Sequence, residues 1–548
     1  MRRPNPRRLM QTPDWDGGSR VALRLQLLGA FAAALATRVL TAGNYVTTDE
    51  GIWMLRTVNF SDALLDGNFA DATASKGGPA TMPGGPTMWL GSLGRLVWSI
   101  GQSMGLVDND DAFISLSGLH LAQTMVALAT SLLIAFVAML VYRWAGWGAA
   151  AVTALFLVGE PWIGALGSIL HTDELTALLG TAGLLVLALS FEVPDRTGWS
   201  RPLLGAATAG VLITLAPLTK ATGLVYGVGA ALVIGYALWR DWGRRDADTN
   251  SLTMLRCKQM ALAGAGVAVV VPLMWPALLA DPSTQFSAFM DSVALAGNSS
   301  QETFQGELDP SGRWYYVVAL PFRMTPWFLV ASVVAVPLAL LNRATRARAL
   351  WLLLWLAPGA ITISLATKQF DRYGLVVLVP LAGLVGVGLG PYLERLLARG
   401  TGMRAAAGAV VALVVVHGIT VAPWGLLYFN PVLGGADRAR DVLLVGWGEG
   451  AELAIDEIRD MEHGDCDGIT VSGVRTSELG TRGLPAPLSL FGVSCASAPP
   501  RGTDPSYIVS YINQSQRMTD EQIDDVLAGR EQVGVVEIRG ITVATIWR

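Results

Sequence analysis

Eleven apolar runs of bilayer-crossing length follow one another between residues 21 and 425, near 21–43, 119–142, 148–166, 174–191, 203–219, 223–239, 260–280, 315–341, 350–366, 374–391 and 405–425. A hydrocarbon core of about 30 Å needs about 20 helical residues at a rise of about 1.5 Å each. No other feature restricts the fold as much, because lipid leaves a chain with only helices or a closed barrel to satisfy its backbone polar groups. Composition agrees: 52% of the 548 residues are hydrophobic and 15% charged, against about 25% charged in soluble domains. The basic start "MRRPNPRRLM" precedes the first run without a small-residue cleavage site, which predicts a retained helix rather than a signal peptide.

Alternating the ends of these runs sorts the cations. One side receives the N-terminal Arg cluster, Arg143, Arg196 with Arg201, the stretch from Arg240 to Lys258, Arg343 to Arg348, and Arg395 to Arg404. By the positive-inside rule that side is the cytoplasm, with the N-terminus inside and the C-terminus outside. The outer side then holds residues 44–118, 167–173, 220–222, 281–314, 367–373 and everything beyond 425; apart from the helical stretches of 44–118 and the segment beyond 425, its loops carry few basic residues: Lys76, Lys220, Arg313, Lys368 and Arg372. The outer loop 44–118 contains two helical stretches. The second, with Met88, Trp89, Leu93, Leu96 and Val97, is patterned to lie in the membrane interface.

The expected organisation is a membrane domain over residues 1–425 and an extracytoplasmic α/β domain over 426–548. In the latter "DVLLVGWG", "GITVSGV", "SYIVSYI" and "VGVVEIRGITVATIW" read as strands and "EGAELAIDEIRDM" as a helix. "GWGEG" lacks the Lys of a phosphate loop and reads as a strand-to-helix turn with an acidic cap. Of the three cysteines, Cys466 and Cys495 fall in this domain; on an oxidising face they either bridge or stay as two buried thiols.

Two acidic pairs stand on the predicted outer face. Asp49 and Glu50 in "NYVTTDEGIW" follow the first run, and His171, Asp173 and Glu174 in "HTDEL" open the fourth. Acids at a helix start also meet the macrodipole, with a neighbouring Thr as cap; the repetition on one face argues for a shared polar site. The complementary cations are Lys220 after an apolar run, Arg372 with Lys368 and Tyr373 in a tight hairpin, Arg56 on the helix after Asp49, and Lys76 in the loop "SKGGPATMPGG". Lys220 at bilayer depth either snorkels or meets an anion. Arg372 offers a planar fork to phosphate. Proton-accepting acids beside phosphate-holding cations point to transfer of a group from a lipid phosphate to a hydroxyl. The alternative is a transporter or flippase of a lipid-linked precursor; against it, charges are scarce within the runs, and no short Gly- or Pro-broken helices at matching positions stand out as inverted repeats.

"TTDEGIW", "HTDEL", "LTKATG", "QFDRYGLVVLVP", the loop ending "FQGELDPSGRWYYVVALPFRMTP" and the junction "YFNPVLGGA" to "GWGEGAELA" together resemble the GT-C superfamily of membrane glycosyltransferases. Within it they are similar to the dolichyl-phosphate-mannose protein mannosyltransferase-like family, and to bacterial lipid A aminoarabinose transferases. The resemblance spans the membrane part and reaches into the C-terminal domain; related sequences often carry His where this loop has Met82. It implies a GT-C fold and transfer of a hexose or pentose, with inversion, from a polyprenyl-phosphate sugar to an acceptor hydroxyl of a protein, glycan or lipid outside the cytoplasmic membrane. It implies Asp49 as general base, its pKa raised by partial desolvation, with Glu50 orienting helix or acceptor and Asp173 as the second-loop acid. Arg372 and Lys220, with Arg56 and Lys76, would hold the donor phosphate. His171, Glu174, Lys368 and Tyr373 are further candidates. No nucleotide is implied, and with one nearby His the expectation is metal-independent transfer, a divalent metal being the alternative.

Overall fold

The structure, a computed structural model, describes residues 17–72, 83–192, 200–242, 249–298, 303–308, 312–475, 486–500 and 502–548. The first eight helices are α1 (Gly17–Val39), α2 (Glu50–Leu65), α3 (Gly85–Ser103), α4 (Leu116–Ala145), α5 (Trp147–Gly159), α6 (Pro161–Leu166), α7 (Asp173–Glu192) and α8 (Ser200–Thr219). Among the described residues nine helices are long and apolar enough to cross a bilayer, and the chain is a multi-pass membrane protein. The spans that open on Asp173 and Asp371 are the most enclosed, 94% and 83% buried. They form the centre of the bundle and fix the loops at their starts.

Three of the eleven predicted spans are not continuous helices: run 260–280 breaks at Trp275, between Thr249–Met274 and Pro276–Ala280. Run 148–166 breaks into α5, of 13 residues, and α6; run 315–341 breaks into Tyr315–Arg323 and Pro326–Leu341, of 16 residues. The cause is local. Pro161, Pro276 and Pro326 open the second helix of each pair, and the residue before a proline is driven out of the helical region; Glu160 and Thr325 are accordingly extended, and Trp275 likewise leaves the helical region. Contrary to the expectation of unbroken helices, the breaks at Glu160 and Thr325 also meet: the buried Glu160 carboxylate accepts the Thr325 N–H at 2.8 Å and bonds the Thr325 hydroxyl. Each break thereby satisfies polar groups that the other exposes.

Helix α3 shows the interfacial pattern with one correction. Trp89, Leu93, Leu96 and Val97 are exposed, but Met88 is fully buried, because it shares the α2-facing side with Gly91, whose missing side chain admits Thr57.

Beyond the last span, Thr401–Val421, lies a small sheet domain. A two-stranded ribbon in the 303–308 loop pairs β1 (Thr303–Phe304) with β2 (Glu307–Leu308). The domain itself has β3 (Val471–Gly473), β4 (Tyr507–Tyr511), β5 (Gln532–Ile538) and β6 (Ile541–Trp547) in the order β3-β4-β6-β5, with β3 and β4 parallel and the other pairs antiparallel. The helix Ala451–Met461 packs Ala454, Ile455 and Ile458 inward. "DVLLVGWG" is not a strand. Its backbone groups are engaged elsewhere: Val445 N–H donates to Gln516 at 2.8 Å, Gly446 O accepts from Asn513 at 2.7 Å, and Trp447 O accepts the Thr48 N–H at 3.0 Å.

Cys466 and Cys495 are bridged across a sequence separation of 29. Closing a loop of that size restrains the unfolded chain by roughly 3 to 4 kcal/mol. Cys466→Ser is therefore expected to lower the unfolding temperature of this domain by several degrees, followed by tryptophan fluorescence. The loss should match that produced by reductant in the wild type.

Candidate active site

The site forms where four separate segments meet at the end of the bundle that carries the C-terminal domain. Asp49 is the residue before α2, yet its side chain makes no capping bond. It is free to reach across, with Oδ2 at 3.5 Å from His171 Nε2 and 3.9 Å from an Arg372 nitrogen, and is 37% exposed. His171 presents its other nitrogen to Asp173, Nδ1 to Oδ2 at 2.8 Å. The imidazole thus stands between the two carboxylates. Lys220 donates to Asp173 Oδ1 at 2.5 Å, and Arg372 Nε lies 3.6 Å from Oδ2. Lys220 does not snorkel; its ammonium is buried and sits 4.5 Å from the Tyr373 ring.

Electrostatics separate these groups. Burial pushes the Asp49 carboxyl up, but the hydrogen bond and charge of His171 and the charges of Arg372 and Lys220 outweigh it, holding it down at about 2. This reverses the expected direction, because desolvation at the membrane edge is accompanied here by three cationic or donor neighbours. For Lys220, burial lowers the ammonium to about 8, although Asp173 works the other way.

The second acid of each pair has a different task. Consecutive residues at a helix start point about 100° apart, so Asp49 and Asp173 face the site while Glu50 and Glu174 face the bundle. Glu50 is fully buried and accepts from Thr47 N–H at 2.7 Å, its hydroxyl at 3.1 Å, the Gln123 amide at 2.8 Å and Leu170 N–H at 2.7 Å. One carboxylate thereby ties the segment before Asp49 to the loop before His171. Burial raises its pKa, against these hydrogen bonds. Glu174 pairs with Arg38 in a fully enclosed ion pair.

Arg56 lies outside the charged cluster: its guanidinium stacks 4.5 Å from the Trp53 ring and donates to Pro83 O at 2.8 Å. Trp53 in turn meets His171 edge-on at 6.1 Å. Arg56 therefore supports the wall of the site rather than its cations. Lys368 is half-buried on the hairpin that carries Arg372. Lys76 and Met82 lie outside the described residues. The hairpin is anchored by Asp371, whose carboxylate accepts from Arg323 Nε at 2.7 Å and from Arg372 N–H at 2.7 Å.

One wall of the site was missed in the sequence. Trp447 of "GWGEG" packs its ring against His171 at 4.6 Å and against the Arg372 guanidinium at 4.2 Å. The signal was an aromatic residue between glycines within the resembling junction itself, and a turn with an acidic cap was the simpler reading. Among the described residues no group of three or more His, Cys, Asp or Glu is arranged to hold a metal ion. His171 and Arg372 each reach both carboxylates, and Lys220 pairs with Asp173.

No protein-family model matches the chain, and no curated protein matches it by sequence. Solved structures do match. A crystal structure of ArnT from Cupriavidus metallidurans bound to undecaprenyl phosphate aligns at 16% identity with a TM-score of 0.55, covering 97% of this chain and 98% of that one. The apo state of the same protein gives 15% identity and a TM-score of 0.54 over the same shares. The archaeal oligosaccharyltransferase AglB from Archaeoglobus fulgidus, in complex with an inhibitory peptide and a dolichol-phosphate, aligns at 12% identity and a TM-score of 0.49, covering 91% of this chain and 70% of that one. A bundle of membrane helices followed by a small sheet domain, matched to ArnT from end to end, gives this chain the GT-C fold expected from its loop motifs.

Proposed function

We propose that the protein transfers a sugar from a polyprenyl-phosphate-linked donor to an acceptor hydroxyl at the extracytoplasmic face of the cytoplasmic membrane, with inversion at the anomeric carbon. The observation that carries this reading is the meeting of an open carboxylate, Asp49, with Arg372 and Lys220 at one bundle end. The Arg-rich loops at the opposite end and the disulfide in the C-terminal domain support that sidedness. The fold supports the donor class, since a protein sharing it holds undecaprenyl phosphate.

Arg372 and Lys220 bind the phosphate and stabilise the charge that builds as it leaves. Asp49 takes the acceptor proton while that oxygen attacks the anomeric carbon from the face opposite the phosphate. The bond from the anomeric carbon to the phosphate oxygen breaks, and its electron pair leaves with polyprenyl phosphate. A carboxylate held near pKa 2 is a weak base, and the donor corrects this. Its phosphate cancels the cations that keep Asp49 down, so Asp49 becomes more basic only when a donor is in place. The transfer is metal-independent in this reading, with Lys220 and Arg372 supplying the positive charge beside the phosphate.

The test is purified protein in lipid with radiolabelled polyprenyl-phosphate mannose, then its arabinose, glucose and galactose equivalents, and a membrane extract as acceptor source, with and without chelator. Label moving to product in the wild type, chelator or not, supports the proposal. Label staying on every lipid that binds points instead to a flippase.

The pH profile supplies a second check. Lys220 is buried with an ammonium near 8, and only its protonated form attracts phosphate. kcat/KM is therefore expected to fall above about pH 8. In kcat the same limb should move to higher pH, because a bound phosphate favours the charged Lys. Lys220→Arg should remove the limb from the accessible range, since guanidinium stays charged there.

A further inference from the structure

The C-terminal domain reaches the site through one short loop. Three glycines, Gly446, Gly448 and Gly450, take φ of 81°, 127° and 84°, a backbone that other residues rarely adopt. Gly448 also packs so closely that a Cβ would lie 2.7 Å from Val46 O. The loop is tied to the segment carrying Asp49 at two further points: Trp447 O accepts the Thr48 N–H at 3.0 Å, and the Glu452 carboxylate accepts the Val46 N–H. From the other side, Tyr511 on β4 accepts from Gly448 N–H at 3.0 Å and donates to Glu449 Oε2 at 2.9 Å. A continuous set of contacts thus runs from the sheet through Tyr511 to the loop and ends in the Trp447 ring.

That ring lies where a phosphate-binding cation needs help. Among the described residues Arg372 Nε is buried without a hydrogen-bond partner, and the nearest carboxylate oxygen, on Asp173, is 3.6 Å away. What orients the guanidinium is aromatic surface: Trp447 at 4.2 Å and Phe370 at 4.3 Å. Stacking of this kind fixes the plane of the fork and leaves its N–H groups for a ligand. The same Trp447 ring meets His171 at 82° between planes, so it also limits the imidazole that faces Asp49.

We propose that Trp447 is a positioning residue, which holds the Arg372 guanidinium for the lipid phosphate and makes the C-terminal domain a working part of the site rather than a cover over it. The inference rests on the reading of Arg372 as a phosphate ligand given above.

The probe is undecaprenyl phosphate titrated onto the full chain in nanodiscs, with wild type, Trp447→Leu and Trp447→Phe compared, and thermal unfolding recorded for each. Leu keeps apolar bulk and removes the π face; Phe restores that face. Trp447→Leu is expected to weaken binding about 5- to 20-fold at an unchanged unfolding temperature, and Trp447→Phe to recover most of the loss. A merely structural contact would not be rescued through the π face. Equal binding by wild type and Trp447→Leu overturns the inference alone. Absence of binding in the wild type overturns the phosphate-site reading and the inference with it. Should Trp447→Leu unfold, Tyr511→Phe decides, because it frees the loop without touching Arg372: it should weaken the same binding, and unaltered binding would refute the positioning role.

Discussion

Asp49→Asn is expected to lower kcat for sugar transfer by about 10²- to 10⁴-fold, the range for losing a general base, while the donor lipid still binds. The substitution keeps the shape of the side chain and the neighbouring His171 but removes the only charged oxygen in the cluster that is substantially exposed, 37% against 2% for Asp173. Binding should tighten slightly, since Arg372 and Lys220 lose a competing anion. Single-turnover transfer of label measures the first effect and equilibrium binding of the donor the second. A fall in binding equal to the fall in turnover would show that Asp49 organises the pocket rather than taking the proton.

Arg372→Ala is the second large effect. The guanidinium touches both site carboxylates and three aromatic rings, and no other described cation occupies its position. Its loss is expected to reduce kcat/KM by about 10²- to 10³-fold, the usual magnitude for removing one preorganised donor from a developing charge. Arg372→Lys should recover little, because a point charge on a flexible stem neither stacks on Trp447 nor offers a fork to phosphate. Saturation kinetics with the labelled donor separate the outcomes: a rise in KM alone would mean that Arg372 binds ground and transition states equally. Thermal unfolding close to wild type is needed for both variants, and the Asp371 to Arg323 pair that anchors the hairpin remains in each.

Much of the membrane architecture was legible because bilayer thickness is a one-dimensional constraint. A run either has the length and apolarity to cross or it lacks them. The three failures of that reading, at Glu160, Trp275 and Thr325, are places where proline broke a run that hydropathy counted as continuous. Apolarity does not reveal a kink; the backbone does. In the C-terminal domain "DVLLVGWG" had a strand's composition, but its N–H and C=O groups found partners on Gln516, Asn513 and Thr48, far apart in the chain.

For the site, residue type and sidedness selected Asp49, His171, Asp173, Lys220, Arg372 and Tyr373, and the structure brings these six together. What the linear chain by itself determined was the kind of chemistry available at one end of a helix bundle: acids and cations rare enough in an apolar protein to need a reason. Only the tertiary structure decided how they are shared. It turned Glu50 and Glu174 into the scaffold, set Arg56 against Trp53, lowered the Asp49 pKa where desolvation alone would have raised it, and brought Trp447 from the far end of the chain onto Arg372. The physical reason is that helix phase and the distances between charges from separate segments set pairing and proton affinity, and neither is a property of neighbouring letters.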